Sequence, residues 1–67
     1  MAVVKVLEVL AQSSKGWEDA ANVALQEASR TVRGIKSMYV DDFQAKVENN
    51  RITEYRVRAK ISFVVEE

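Results

Sequence analysis

From Arg51 to Val65 the chain alternates. Tyr55, Val57, Ala59, Ile61, Phe63 and Val65 interleave with Glu54, Arg56, Arg58, Lys60, Ser62 and Val64. This period of two, with one side apolar, predicts a long antiparallel strand resting one face on a core. Val3 to Leu10 predicts another strand. Six of its eight residues are apolar and four of those are valine, and β-branched enrichment favours extended chain. One face carries Val4, Val6 and Leu10 beside Glu8; the other carries Val3, Leu7 and Val9 beside Lys5. Both faces read as largely buried, which is unusual in a small solvated sheet.

Between these strands the period changes. Trp17, Ala20, Ala21, Ala24, Ala28 and Val32 recur at spacings of three and four, opposite Asn22, Gln26, Ser29, Arg30 and Arg33. That spacing predicts an amphipathic helix with a small-residue stripe that lies close to whatever it covers. Within the loop Gln12–Gly16, Ser14 is the expected N-cap. Glu18 and Asp19 then sit at the positive end of the helix, Arg30 and Arg33 at the negative end, and Gly34 stops it.

Ile35 to Val47 predicts a third strand. Ser37, Tyr39, Asp41, Phe43, Ala45 and Val47 share one face, and Met38, Val40, Asp42, Gln44 and Lys46 the other. Glu48-Asn49-Asn50-Arg51 reads as a tight turn, with Asn50 in the left-handed conformation that glycine commonly supplies. The order is β-α-β-β, an α+β chain forming one domain over residues 1–67.

Size adds a constraint. A compact chain of this length has a radius of gyration of about 11 Å, or a sphere about 28 Å across. A straight last strand of about 14 residues would be about 46 Å long. It must curl around the helix or project into neighbours. A helix of about 18 residues spans about 27 Å and covers only part of one sheet face.

Composition narrows the chemistry. The 67 residues include no cysteine, histidine or proline, and ten Lys+Arg balance ten Asp+Glu. Disulfides, thiolate metal sites and histidine catalysis are excluded. Balanced charge argues against a nucleic-acid partner. There is no apolar run long enough to span a membrane. Met1-Ala2-Val3-Val4-Lys5 lacks the form of a signal peptide, so a cytoplasmic location is expected. A general base would have to be a carboxylate, and neither a nucleophile motif nor a glycine-rich phosphate loop is present. An enzyme is therefore not expected, and no catalytic residue is assigned. A core this small supplies only about 3–5 kcal/mol unaided. Without disulfides or the usual zinc ligands, oligomerisation is the remaining common source of stability.

The motifs Lys5–Val9, Ser13–Ala21, Ala28–Ile35 and Ile52–Phe63, in this order and spacing, resemble the dodecin family over nearly the whole chain. The resemblance implies a three-stranded antiparallel sheet curved around one helix. It also implies assembly into a hollow homododecamer that binds flavins, FMN or riboflavin, in pairs at two-fold axes and stores them.

Against that pattern this chain departs at the ligand. The resemblance implies a flavin-stacking tryptophan at position 37, which is Ser37 here and has no π-face. It implies a glutamine at position 56, which is Arg56, a bulkier cation that cannot accept a hydrogen bond. It also implies an arginine near Gln44. Tyr39, on the same face as Ser37, offers a displaced aromatic platform. Ser37, Tyr39, Gln44 and Arg56 are thus the candidate ligand residues. Dodecins lacking the tryptophan include calcium binders, which makes Asp41, Asp42 and Glu48 candidate metal ligands. Alternation puts Asp41 and Asp42 on opposite faces, so they share an ion only if a bulge intervenes. The basic row Arg56, Arg58 and Lys60 suits anion capture or, more simply, cross-strand pairing with Asp42, Glu8 or Glu54. Trp17, Tyr55 and Phe63 are expected in the core. A structural shell with no tight ligand is the remaining reading.

Overall fold

A computed structural model describes residues 3–65. Met1 and Ala2, part of the N-terminal stretch read above, lie outside the described residues, as do Glu66 and Glu67. The elements are β1 (Val3–Ser13), α1 (Trp17–Ser29), β2 (Ile35–Glu48) and β3 (Arg51–Val65). They form an open antiparallel sheet in the order β1-β3-β2. The strand with the cleanest alternation, β3, is therefore central.

The core lies between α1 and β3. Ala20, Ala24 and Ala28 bury their methyls against Val57, Ala59 and Ile61, and all six are at most 5% exposed. Alanine at the contact lets the helix axis approach the sheet closely, as the stripe predicted. Leu7, Val9 and Ala11 of β1 share this inner face, opposite Ile61, Ala59 and Val57. Val4, Val6 and Leu10 lie on the outer face and are 62%, 62% and 68% exposed. Within the single chain only one face of β1 is covered.

Three boundaries differ from expectation, each for a local reason. First, β1 runs on to Ser13, because Ala11 and Ser13 continue the inner row opposite Val57 and Tyr55. Second, Ser14 does not cap the helix. Gly16 is the N-cap residue, and no side chain caps it. Ser13 organises the turn instead: its hydroxyl accepts the Lys15 N–H at 2.9 Å and donates to the Asp19 carboxylate at 2.5 Å. Third, α1 has 13 residues and ends at Ser29, not at Gly34. The Ser29 hydroxyl bonds back to the Gln26 carbonyl at 2.8 Å, and the β-branched Thr31 and Val32 follow. Arg30 and Arg33 consequently lie beyond the last helical turn. Gly34 serves a different purpose. Its φ is +77°, and a Cβ there would lie 3.0 Å from the Val64 carbonyl oxygen. The Gly34 carbonyl accepts the Val64 N–H at 3.1 Å, pinning the connector to the end of β3.

Asn49 and Asn50 both have positive φ, 52° and 63°. Two consecutive left-handed residues match the strand twist in a two-residue hairpin, and asparagine tolerates them. The β2–β3 hairpin it closes runs past the helix. The long axis of the molecule is 52 Å and the radius of gyration 13.8 Å, so the long strand projects from the core.

Candidate functional site

The outer face of the sheet is set by β2, and β2 is not regular. Its register against β3 shifts between Ile35 and Ser37 and between Val40 and Asp42. At each shift one residue, Lys36 and then Asp41, is extra. An extra residue reverses the side to which every later residue points. Ser37 and Tyr39 face outward opposite Ser62 and Lys60; Phe43 and Ala45 face inward opposite Val57 and Tyr55. Asp42, Gln44 and Lys46 face outward opposite Arg58, Arg56 and Glu54. The period-two assignment of β2 fails for this reason. Gln44 belongs to the same face as Ser37, Tyr39 and Arg56.

Those four residues form two groups along the face. In the first, the Ser37 and Ser62 hydroxyls are hydrogen-bonded to each other, and the Tyr39 ring stands 65% exposed beside Lys60. In the second, Arg56 lies between Gln12 of β1 and Gln44 of β2. Its Nε and Nη2 donate to Gln12 Oε1 at 3.2 and 2.9 Å. Gln12, Gln44, Ala45, Lys46, Glu54 and Arg56 line a pocket of about 180 Å³. Lys60 and Arg56 are four residues apart on one strand, roughly 13 Å. Gln12 escaped the sequence reading, since it lies beyond the predicted end of β1; continuation of the apolar row through Ala11 was the available signal.

Between the groups sits an ion cluster. Asp41 Oδ1 accepts Arg58 Nε at 2.9 Å, and Oδ2 lies 3.5 Å from Lys60 Nζ. The Asp41 side chain is 16% exposed. The Arg58 hydrogen bond holds its carboxyl below the ordinary range; burial opposes this, and the Arg58 and Lys60 charges reinforce it. The basic row therefore pairs cross-strand, but with Asp41, the bulge residue, rather than with the expected Asp42. The bulge also brings Asp41 and Asp42 to one face. Asp42 accepts Gln44 Nε2 at 3.2 Å. Glu48 does not join them: it pairs with Lys46 at 3.5 Å and lies six residues, roughly 20 Å, along the strand. Among the described residues no three acidic side chains converge on a metal position.

Trp17 supports the second group from beneath. Its Nε1–H donates to the Gln44 carbonyl at 2.9 Å, and its ring meets Tyr55 and Phe43 edge-on at centroid distances of 4.9 and 6.1 Å. The start of the helix is thereby tied to the strand segment that carries Gln44. Trp17 is at the rim of the core, 37% exposed.

A one-helix α+β chain with its inner sheet face packed under the helix and its outer face open and chemically varied belongs to a recognisable class of small proteins. The family model described as Dodecin matches residues 3–66, and the chain belongs to the dodecin family. It is similar to the calcium dodecin of Mycobacterium tuberculosis, 32% identical over 63 residues, which are 94% of this chain and 89% of that one. The crystal structure of that relative, described as calcium-chelating with a novel calcium-binding site, has a TM-score of 0.83 at 31% identity, covering 96% of this chain and 91% of that one. An arginine-to-alanine mutant of the Thermus thermophilus dodecin has a TM-score of 0.95 at 28% identity, with 100% of both chains covered. The Streptomyces coelicolor dodecin has 0.93 at 27%, covering 98% and 94%. No helix among the described residues is long and apolar enough to cross a membrane.

Proposed function

We propose that the chain is a dodecin-type binding and storage protein whose outer sheet face takes a flavin at a rebuilt site. The observation that carries this reading is the outer face of β2 and β3. There an exposed aromatic ring, Tyr39, and an open pocket flanked by Gln44 and Arg56 share one surface. Tyr39 replaces, two residues on, the stacking platform that Ser37 cannot supply. The resemblance implies an arginine near position 44 and a glutamine at 56; this chain carries Gln44 and Arg56, direct cross-strand partners. One amide and one guanidinium remain, exchanged between strands. Assembly into a homododecamer is part of the proposal, supported by the exposed Val4, Val6 and Leu10. Titration of the protein into riboflavin and into FMN, followed by quenching of flavin fluorescence, tests the reading. Saturable quenching at micromolar concentrations is expected, and unchanged emission from both flavins ends it.

Calcium is the second reading. It draws on the M. tuberculosis relative and on the bulge that turns Asp41 and Asp42 to one face. It ranks lower because Arg58 and Lys60 already neutralise Asp41. A calorimetric titration with calcium against magnesium decides it, and a flat trace removes it.

A further inference from the structure

We infer that Arg56 is an oxyanion receptor: the pocket it shares with Gln12 and Gln44 binds a carboxylate or phosphate group of the ligand. The inference deepens the proposed binding face and rests on it for the location, not for the identity of the ligand. Three cations line the outer row of β3, and they are not equivalent. Arg58 and Lys60 are both paired with the Asp41 carboxylate. Arg56 forms no ion pair among the described residues, and its hydrogen-bond partner is the neutral amide of Gln12. Its cross-strand neighbours are Gln12 on one side and Gln44 on the other, so neither compensates its charge.

The geometry also orients the group. Gln12 Oε1 takes both Nε and Nη2, which fixes the guanidinium plane and leaves the Nη1 side of the fork unused. A planar fork with free N–H donors matches the paired oxygens of a carboxylate or phosphate. The pocket of about 180 Å³ admits such a group. Its charged lining is Arg56, Lys46 and Glu54; Lys46 is paired with Glu48, which leaves Arg56 as the cation open to an anion. Gln12 is a positioning residue, acting through Arg56.

The test uses inorganic phosphate and acetate as probes, measured by calorimetry in low-salt buffer on the assembled protein. Wild type is expected to bind at least one of them, and Arg56→Gln to weaken that binding tenfold or more. Gln12→Glu supplies an internal carboxylate to Arg56 and should weaken it similarly with no loss of melting temperature. Arg56→Lys keeps the charge without the fork and should fall between. No binding by wild type, or equal binding by Arg56→Gln and by Gln12→Glu, overturns the inference. Riboflavin, which has no anionic group, separates the two proposals. Quenching of riboflavin with no oxyanion binding leaves the flavin site standing and removes the receptor. Oxyanion binding with no quenching by either flavin does the reverse.

Discussion

The Asp41 carboxylate accepts the Nε–H of Arg58 at 2.9 Å, and Asp41 is the extra residue of a β-bulge. Asp41 continues the outward row of Ser37 and Tyr39, and the extra residue turns Asp42 outward beside it instead of toward the helix. The bulge thus gathers both carboxylates on the outer face, with Asp41 the anchor of its ion cluster. Asp41 is held ionised, with a pKa below the ordinary carboxylate value of about 4. A lowered folded pKa contributes stability that is present above the unfolded pKa and lost as pH falls through the folded one. Asp41→Asn should therefore melt below wild type at pH 6–7. The gap should close as pH is lowered below about 4, where wild type loses the same ion pair. Thermal melts of both proteins between pH 2.5 and 7 check this; a gap that stays constant across that range contradicts the role of Asp41.

The same cluster predicts a response to calcium. Arg58 and Lys60 occupy, as fixed cations, the neighbourhood where a divalent ion would contact Asp41. Replacing both, Arg58→Gln with Lys60→Gln, leaves Asp41 and Asp42 together on one face without a counter-charge. Calcium affinity should rise at least tenfold over wild type, read by calorimetry with circular dichroism as the folding control. Equal heats from the two proteins would show that the cations do not guard the carboxylates.

How much of this was legible in the sequence depended on whether the residues themselves marked it. The inner row Val57, Ala59 and Ile61 and the helix stripe Ala20, Ala24 and Ala28 were legible, because burial demands apolar side chains at a fixed period. The bulges at Lys36 and Asp41 were not. A bulge needs no glycine or proline, and each side of β2 carries apolar residues, so alternation continues to look regular across it. Ser37, Tyr39, Gln44 and Arg56 could all be named in advance, but alternation put Gln44 on the opposite face and only the register brings it to the side of the others. Gln12 was missed because the predicted β1 ends too early, and its role comes from a cross-strand partner 44 residues away. The end of α1 was misplaced because Val32 continues the apolar spacing after the helical hydrogen bonds have stopped.

Gly34 offers a check on the connector. Its φ of +77° and the 3.0 Å approach to the Val64 carbonyl leave no room for a methyl group. Gly34→Ala must strain the left-handed backbone and push away the end of β3. A loss of about 1–3 kcal/mol is expected, measured by denaturant unfolding. An unchanged midpoint would mean that the connector moves freely away from β3.

The exchanged amide and guanidinium give a gain-of-function prediction. Ser37→Trp returns a π-face to the outer sheet beside Tyr39, and Arg56→Gln returns an acceptor at the pocket and removes a bulky cation. The double variant should bind riboflavin more tightly than wild type, by tenfold or more in quenching titrations, since stacking of large aromatic surfaces is worth about 0.5–1.5 kcal/mol beyond area burial and the acceptor adds to it. Riboflavin is the right probe because it isolates ring recognition from any contribution of a phosphate. A variant that keeps its fold and assembly state yet ignores riboflavin would show that position 37 is not the stacking position.

Assembly is the last prediction, and it follows from what the single chain leaves uncovered. Val4, Val6 and Leu10 line the outer face of the edge strand β1, each more than 60% exposed. Edge strands that present apolar rows to water pair or aggregate unless something covers them. The chain has no proline, and the row carries a single charge, Glu8, which faces Lys60. The strand is therefore built to be covered. Static light scattering should give a mass many times the 7.6 kDa of the chain. Val6→Lys with Leu10→Lys should shift the protein toward that monomer mass and lower its thermal stability together, because in a domain this small, burial between subunits is part of folding. Dissociation with an unchanged melting temperature would mean that the chain stands alone and that assembly serves only the ligand.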